Sequence, residues 1–204
     1  MKIICVAKNY VEHAAEFDAV VPEEPIFFLK PDSALLLRNQ PFFYPDFSNN
    51  IHYELELVVR ITRLGKNIQT RFAHKYYDQV ALGIDFTARD LQMNAKKSGN
   101  PWALAKGFDN SAALSEMVDL SSFGKPVNNL NFKLLKNGEC VQQANSSQML
   151  FSIDELISYV SRFMTLKIGD YIYTGTPAGV GPVQIGDRLE GFLEDRPLIK
   201  CNIR

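Results

Sequence analysis

Between positions 51 and 61 apolar and polar side chains alternate, with Ile51, Tyr53, Leu55, Leu57, Val59 and Ile61 set against His52, Glu54, Glu56, Val58 and Arg60. A period of two marks a strand with one face toward a core, so a β-strand is predicted here. Ile3-Ile4-Cys5-Val6-Ala7 and Val80-Ala81-Leu82-Gly83-Ile84 are continuous apolar runs too short for helices, and they predict buried strands. Pro22, Pro25, Pro31, Pro41 and Pro45 punctuate the stretch around Ile26-Phe27-Phe28-Leu29 and the aromatic run after it, which predicts short edge or irregular strands. Further strands are expected near 130–136, 140–143, 171–174, 188–194 and 198–203.

Helices are signalled by their ends. Ser152 with Glu155 forms a capping box, Phe151 and Leu156 a hydrophobic staple, and Ile153, Leu156, Ile157, Val160 and Met164 an inward face. Thr87 with Asp90 resembles a second box, opening a helix that ends near Ser98-Gly99-Asn100-Pro101 with Lys96 and Lys97 in its last turn. Asn9 with Glu12 marks a third helix ending near Phe17; so short a helix depends on tertiary packing, which makes 9–17 a candidate mobile lid. Strand segments outnumber helices, so the expectation is a β-rich α+β fold in a single domain over 1–204.

Composition narrows the function. A chain of 204 residues, 46% hydrophobic and 22% charged, suits one ordinary globular domain. A net charge of -1 supplies no general pull toward nucleic acid or an anionic membrane, and neither is expected as a partner. No apolar run near the start is long enough for a membrane span or a signal-peptide core. Cys5, Cys140 and Cys201 are scattered and odd in number, which reads as reduced thiols in a cytoplasmic protein.

Candidate chemistry gathers on acidic positions. On an extended strand Glu54 and Glu56 share a face, roughly 7 Å apart. A solvated polar face would explain them; Asp85, at the end of an apolar strand, argues otherwise, because a buried carboxylate needs a partner. The three together would make an all-oxygen site for Mg²⁺, Mn²⁺ or Ca²⁺. His13 and Glu16, three apart on one helix face, could hand a proton to or from water, or be a solvated surface pair. Lys106 is a lone cation in the apolar run 102–108, either snorkelling or compensating the carboxylates. Gly175-Thr176-Pro177-Ala178-Gly179-Val180-Gly181-Pro182 lacks the ending of a phosphate loop, so it is either a turn or a cradle for a substrate carboxylate. His52 and His74 read as structural.

In succession, these segments resemble the fumarylacetoacetate hydrolase superfamily, especially its short acylpyruvate hydrolases and oxaloacetate decarboxylases. The likeness covers nearly the whole chain. It rests on Lys8-Asn9-Tyr10 through His13 and Glu16, Pro25 through Phe28-Leu29-Lys30-Pro31, His52-Tyr53-Glu54-Leu55-Glu56-Leu57, Asp85-Phe86-Thr87-Ala88-Arg89-Asp90-Leu91-Gln92, Lys106, and Thr174 through Gly181. The resemblance implies mixed, rolled β-sheets with a few flanking helices, usually in a homodimer, and Mg²⁺ or Mn²⁺ held by Glu54, Glu56 and Asp85. It further implies a lid dyad of His13 and Glu16, an active-site Lys106, and substrate contacts at Lys8, Asn9, Gln92 and Thr176. Many relatives carry Gly-Arg where this chain has Ala7-Lys8, and lysine does not reproduce the planar fork of arginine, which bears on substrate choice.

The implied activity is metal-dependent C–C hydrolysis of acylpyruvate-like 2,4-dioxo acids, with oxaloacetate decarboxylation available through the same pyruvate enolate. Two alternatives stand beside it: an isomerase or decarboxylase of 2-hydroxyhepta-2,4-diene-1,7-dioate-type acids, and a non-catalytic module stabilised by Ca²⁺.

Overall fold

The computed structural model describes residues 1–11, 21–37 and 40–204. In chain order the strands are β1 (Ile3–Ala7), β2 (Ile26–Lys30), β3 (Leu35–Leu37), β4 (Ile51–Tyr53), β5 (Leu55–Arg60), β6 (Gln79–Asp85), β7 (Thr87–Ala88) and β8 (Ala112–Leu114). They continue as β9 (Val118–Asp119), β10 (Asn131–Lys136), β11 (Glu139–Asn145), β12 (Tyr171–Tyr173), β13 (Gly181–Pro182), β14 (Arg188–Leu193) and β15 (Arg196–Asn202). Four α-helices accompany them among the described residues: α1 (Thr70–Ala73), α2 (Arg89–Ser98), α3 (Ala103–Lys106) and α4 (Ile153–Phe163). None is long and apolar enough to cross a membrane.

The strands form three sheets. The largest runs β2-β1-β12-β5-β6-β8-β3, with β9 also paired to β6; a second runs β11-β10-β14-β15, and a third β13-β4-β7. Parallel pairs at β1/β12 and β3/β8 make the large sheet mixed. Leu55, Leu57, Leu82 and Ile84 on one of its faces pack against Phe132, Leu134, Leu189 and Leu193 of the four-stranded sheet. Ile4, Val6, Val59, Ile61 and Ile172 pack with Leu156, Ile157 and Val160 of α4. This is the expected β-rich α+β arrangement.

The alternating segment departs from expectation in two ways. It is two strands, because its partners change at Glu54: β4 pairs with β13 and β7, whereas β5 pairs with β12 and β6. It also has no solvated face, since every residue from Tyr53 to Val59 is buried. The alternation separates two interiors, one apolar and one acidic.

Among the helix signals, the box at α4 is formed, with the Ser152 side chain accepting from Glu155 N and Glu155 returning to the Ser152 backbone. The helix after Thr87 ends as expected, with Gly99 left-handed at its carboxyl end. Its start is different. Ala88 is the capping residue and no side chain caps it; Thr87 donates to Glu54, and Asp90 accepts from Ser48 and Asn49. The Thr87 hydroxyl is used on both sides in the interior, donating to Glu54 and accepting from the Lys106 ammonium, so it does not take up a helix amide. Removing the formed cap is the check: Ser152→Ala is expected to cost about 1 kcal/mol of unfolding free energy by urea titration, with the fold retained.

Candidate active site

Antiparallel pairing of β5 with β6 sets Leu55 opposite Ile84 and Glu56 opposite Gly83. One step further along, Asp85 N donates to Glu54 O at 2.8 Å. Glu54, Glu56 and Asp85 therefore share a sheet face, and one carboxylate oxygen from each lies within 4.8 Å of the others. They are 6%, 1% and 1% exposed. Three carboxylates so placed would repel and cost several kcal/mol each without compensation.

Compensation comes from four directions. Lys106 Nζ, at the end of α3, donates to Glu54 Oε2 at 2.8 Å, Asp85 Oδ2 at 2.7 Å and Thr87 Oγ1 at 2.5 Å. Lys30 Nζ pairs with Asp85 Oδ1 at 2.7 Å. The Arg89 guanidinium donates to Glu54 Oε1 and to Gln92 Oε1, each at 2.6 Å. Gly175 N donates to Glu56 Oε2 at 2.7 Å.

The electrostatics follow from this layout. Burial alone would push the Lys106 ammonium down, but Asp85 and Glu54 outweigh it and hold lysine above its usual value, so it stays charged. Burial first, then Asp85 and Glu54, push the Glu56 carboxyl well above the usual range. For His52, burial and then the nearby Arg89 push the imidazole down to about 4, so it is neutral near pH 7. Its Nε2 meets Asn50 Oδ1 at 3.0 Å, away from any acid–base role with the triad.

The other expected site residues fall into four groups. Gln92 and Thr176 are buried beside the triad, Gln92 through Arg89 and Thr176 through Gln142, whose Nε2 donates to Thr176 Oγ1 at 2.9 Å. Lys8 is half-buried with a left-handed φ of 58°. His13 and Glu16, with the lid helix expected around them, lie outside the described residues.

Asn9 is held by backbone groups, and the helix expected to start from it continues outside the described residues. It is wholly buried, its amide donates to Thr174 O at 2.8 Å and Phe151 O at 3.0 Å, and its oxygen accepts from Phe151 N at 2.8 Å. Its side chain is thus occupied by backbone, tying the root of the amino-terminal segment to the strand end that precedes Gly175.

Sequence reasoning missed Lys30, Arg89, Gln142 and the hydroxyl role of Thr87. Lys30 and Arg89 sat inside the motifs, but nothing in a linear pattern says that a lysine ending an edge strand turns inward. Gln142 carried no signal; its Oε1 accepts from Leu55 N, between the two glutamates, at 2.9 Å. A cavity of about 270 Å³, lined by Tyr10, Val11, Ala144, Gln148, Pro177 and Ala178, borders the loop that starts at Gly175. The donor set suits a hard divalent cation: oxygen ligands only, in the interior, with charged partners oriented around them.

Known proteins place this geometry in context. The oxaloacetate tautomerase of Escherichia coli K12 is 41% identical over 188 residues, 92% of this chain and 86% of that protein. The mitochondrial oxaloacetate tautomerase of Bos taurus is 43% identical over 188 residues, 92% of this chain and 85% of that one. The crystal structure of fumarylpyruvate hydrolase from Pseudomonas aeruginosa in complex with Mn²⁺ and pyruvate superposes with a TM-score of 0.92 at 34% identity, covering 100% of this chain and 90% of that one. Residues 2–204 match the family described as fumarylacetoacetate (FAA) hydrolase C-terminal, and with a buried Glu54-Glu56-Asp85 cluster beside Lys106 this chain belongs to that family.

Proposed function

We propose that the chain is a divalent-metal enzyme of short 2-oxo acids whose chemistry runs through an enolate, with keto–enol interconversion of oxaloacetate as its main activity. One observation carries the reading: three carboxylates meet in the interior, and Lys106 Nζ lies within 2.8 Å of two of them. Held by Glu54, Glu56 and Asp85, Mg²⁺ or Mn²⁺ would supply Lewis acidity and a template for the 2-oxo and carboxylate oxygens of the substrate.

The chain's own groups account for the rest. Lys106, kept charged, stands where negative charge grows on the 2-oxo oxygen as C3 loses its proton, the kind of preorganised charge that often dominates rate enhancement. Charge balance supports an anionic substrate. Among the described residues Lys30, Arg89 and Lys106 already offset the three carboxylates, so a dication leaves the site positive, and it stays so when Glu16 is added. The tautomerase relatives at 41% and 43% identity favour the same substrate. In this reading His13 and Glu16 form the proton-transfer pair, accepting the C3 proton so that the electron pair closes the C2–C3 double bond.

A second reading is favoured by the fumarylpyruvate hydrolase neighbour. There the same pair deprotonates a water that attacks C4 of an acylpyruvate, the C3–C4 bond breaks, and its electrons pass into the pyruvate enolate. Loss of CO₂ from oxaloacetate would produce that enolate without additional residues.

With Mn²⁺ or Mg²⁺ present, enol oxaloacetate is expected to disappear faster than any acylpyruvate is cleaved. Faster acylpyruvate cleavage would select the second reading, and inertness toward both substrates would overturn the two together. Lys106→Met is expected to lower kcat by about 10²-fold or more while Mn²⁺ still binds by calorimetry. Glu56→Gln is expected to abolish calorimetric Mn²⁺ binding yet raise the melting temperature of chelated protein, because it removes one of three crowded buried charges and keeps an acceptor for Gly175 N.

A further inference from the structure

Helix α2 carries Arg89, Gln92 and Lys96 at i, i+3 and i+7, a spacing that sets three side chains on one face over about two turns. The first two already belong to the site, where Arg89 donates to Glu54 and to Gln92. Long side chains on a helix lean toward its amino end, which puts the Lys96 ammonium within reach of the turn that holds Gln92. Aromatic packing fixes Lys96 from another side. Its ammonium lies 5.5 Å from the Trp102 ring centre, Trp102 packs edge-on against Phe28 at 5.9 Å, and the Lys106 ammonium lies 5.1 Å from the Phe28 ring centre. One aromatic pair thus links an exposed lysine to the buried lysine of the site.

Attraction to the helix dipole accounts for a lysine in the last turn, and Lys97 satisfies it as well. It does not account for the charges around Lys96. Partial burial first, then Arg89 and Lys8, hold its ammonium below the ordinary lysine value, and Lys106 acts in the same direction. The carboxylate that opposes them, Glu54, is already paired with Arg89 and Lys106. Cations gathered on one side of a site focus its field and favour an incoming anion. We infer that Lys96 is a specificity-determining residue: it pairs with the second carboxylate of the substrate, the one remote from the 2-oxo acid end, and so favours dicarboxylic 2-oxo acids such as oxaloacetate over monocarboxylic ones. The inference rests on the 2-oxo acid reading proposed above.

Pyruvate shares the 2-oxo acid end of oxaloacetate and lacks the second carboxylate, so the two ligands separate this role from a general loss of binding. The test compares Mn²⁺-loaded wild type with Lys96→Met, Lys96→Gln, Lys96→Arg and Lys97→Met, with folding checked by melting temperature. It reads KM and kcat for ketonisation of enol oxaloacetate, and the Kd of pyruvate by calorimetry. Lys96→Met and Lys96→Gln are each expected to raise KM about tenfold, as for loss of one charge-assisted contact, with kcat and the Kd of pyruvate little changed. Lys96→Arg keeps the charge, and its KM is expected nearer wild type. Lys97→Met removes the same charge from another face of the helix and is expected to leave KM unchanged. An unchanged KM in Lys96→Met and Lys96→Gln overturns the inference, as does pyruvate weakened by the same factor or an equal rise in Lys97→Met. A wild type that neither binds pyruvate nor ketonises oxaloacetate instead overturns the 2-oxo acid reading beneath it.

Discussion

Three carboxylates on one buried sheet face are the constraint to which the neighbouring structure answers. Each alone would be costly to dehydrate, and together they repel, so the surrounding elements supply charge and hydrogen bonds from every side. Lys30 arrives from an edge strand, Lys106 from the end of a one-turn helix, Arg89 from the first turn of α2, and a backbone amide from Gly175. These parts are far apart in sequence, so the acid cluster ties together segments that no local preference would join. Thr87 shows the strength of this demand, since its hydroxyl donates to Glu54 and accepts from Lys106 while the helix start beside it has no side-chain cap.

The sheet architecture makes the cluster possible. Glu54 stands where the chain leaves the three-stranded sheet and enters the large one, and its carbonyl still accepts from Asp85 N across the junction. Gly175 approaches Asn9 so closely that a Cβ on it would lie 2.7 Å from the Asn9 Cβ, and its φ of 98° favours glycine. That close packing lets one short turn serve two ends: its amide holds Glu56, and the residue before it accepts from Asn9. The root of the amino-terminal segment and a triad carboxylate thus share one mechanical support.

One charged cluster of this kind fits several reactions of 2-oxo acids. Tautomerisation, decarboxylation and hydrolytic C–C cleavage all place negative charge on the same enolate oxygen, and in the proposed reading the buried charge of Lys106, held beside two carboxylates, would favour it. The outcomes differ in where a proton or water is delivered, which is a matter for groups that approach the cluster from outside. The relatives carry names for tautomerase and hydrolase activities on a shared fold, as this division of labour would allow.

Much of this was legible in the linear pattern. Strand positions, the α4 capping box and the pairing of two glutamates on one face follow from local periodicity, because side-chain direction along a strand is set by backbone geometry alone. The acids were identifiable because Asp85 closes an apolar run where a charge demands a partner. Which partners answer was not legible: Lys30 turning inward, Asn9 tied to the Thr174 and Phe151 backbone, and Gln142 bracing Leu55 and Thr176. The sequence by itself determined the strands, the buried acids and their common face. Only the tertiary structure decided how those charges are neutralised, since that depends on contacts between residues up to 119 positions apart, as Gly175 and Glu56 are, which periodicity does not encode.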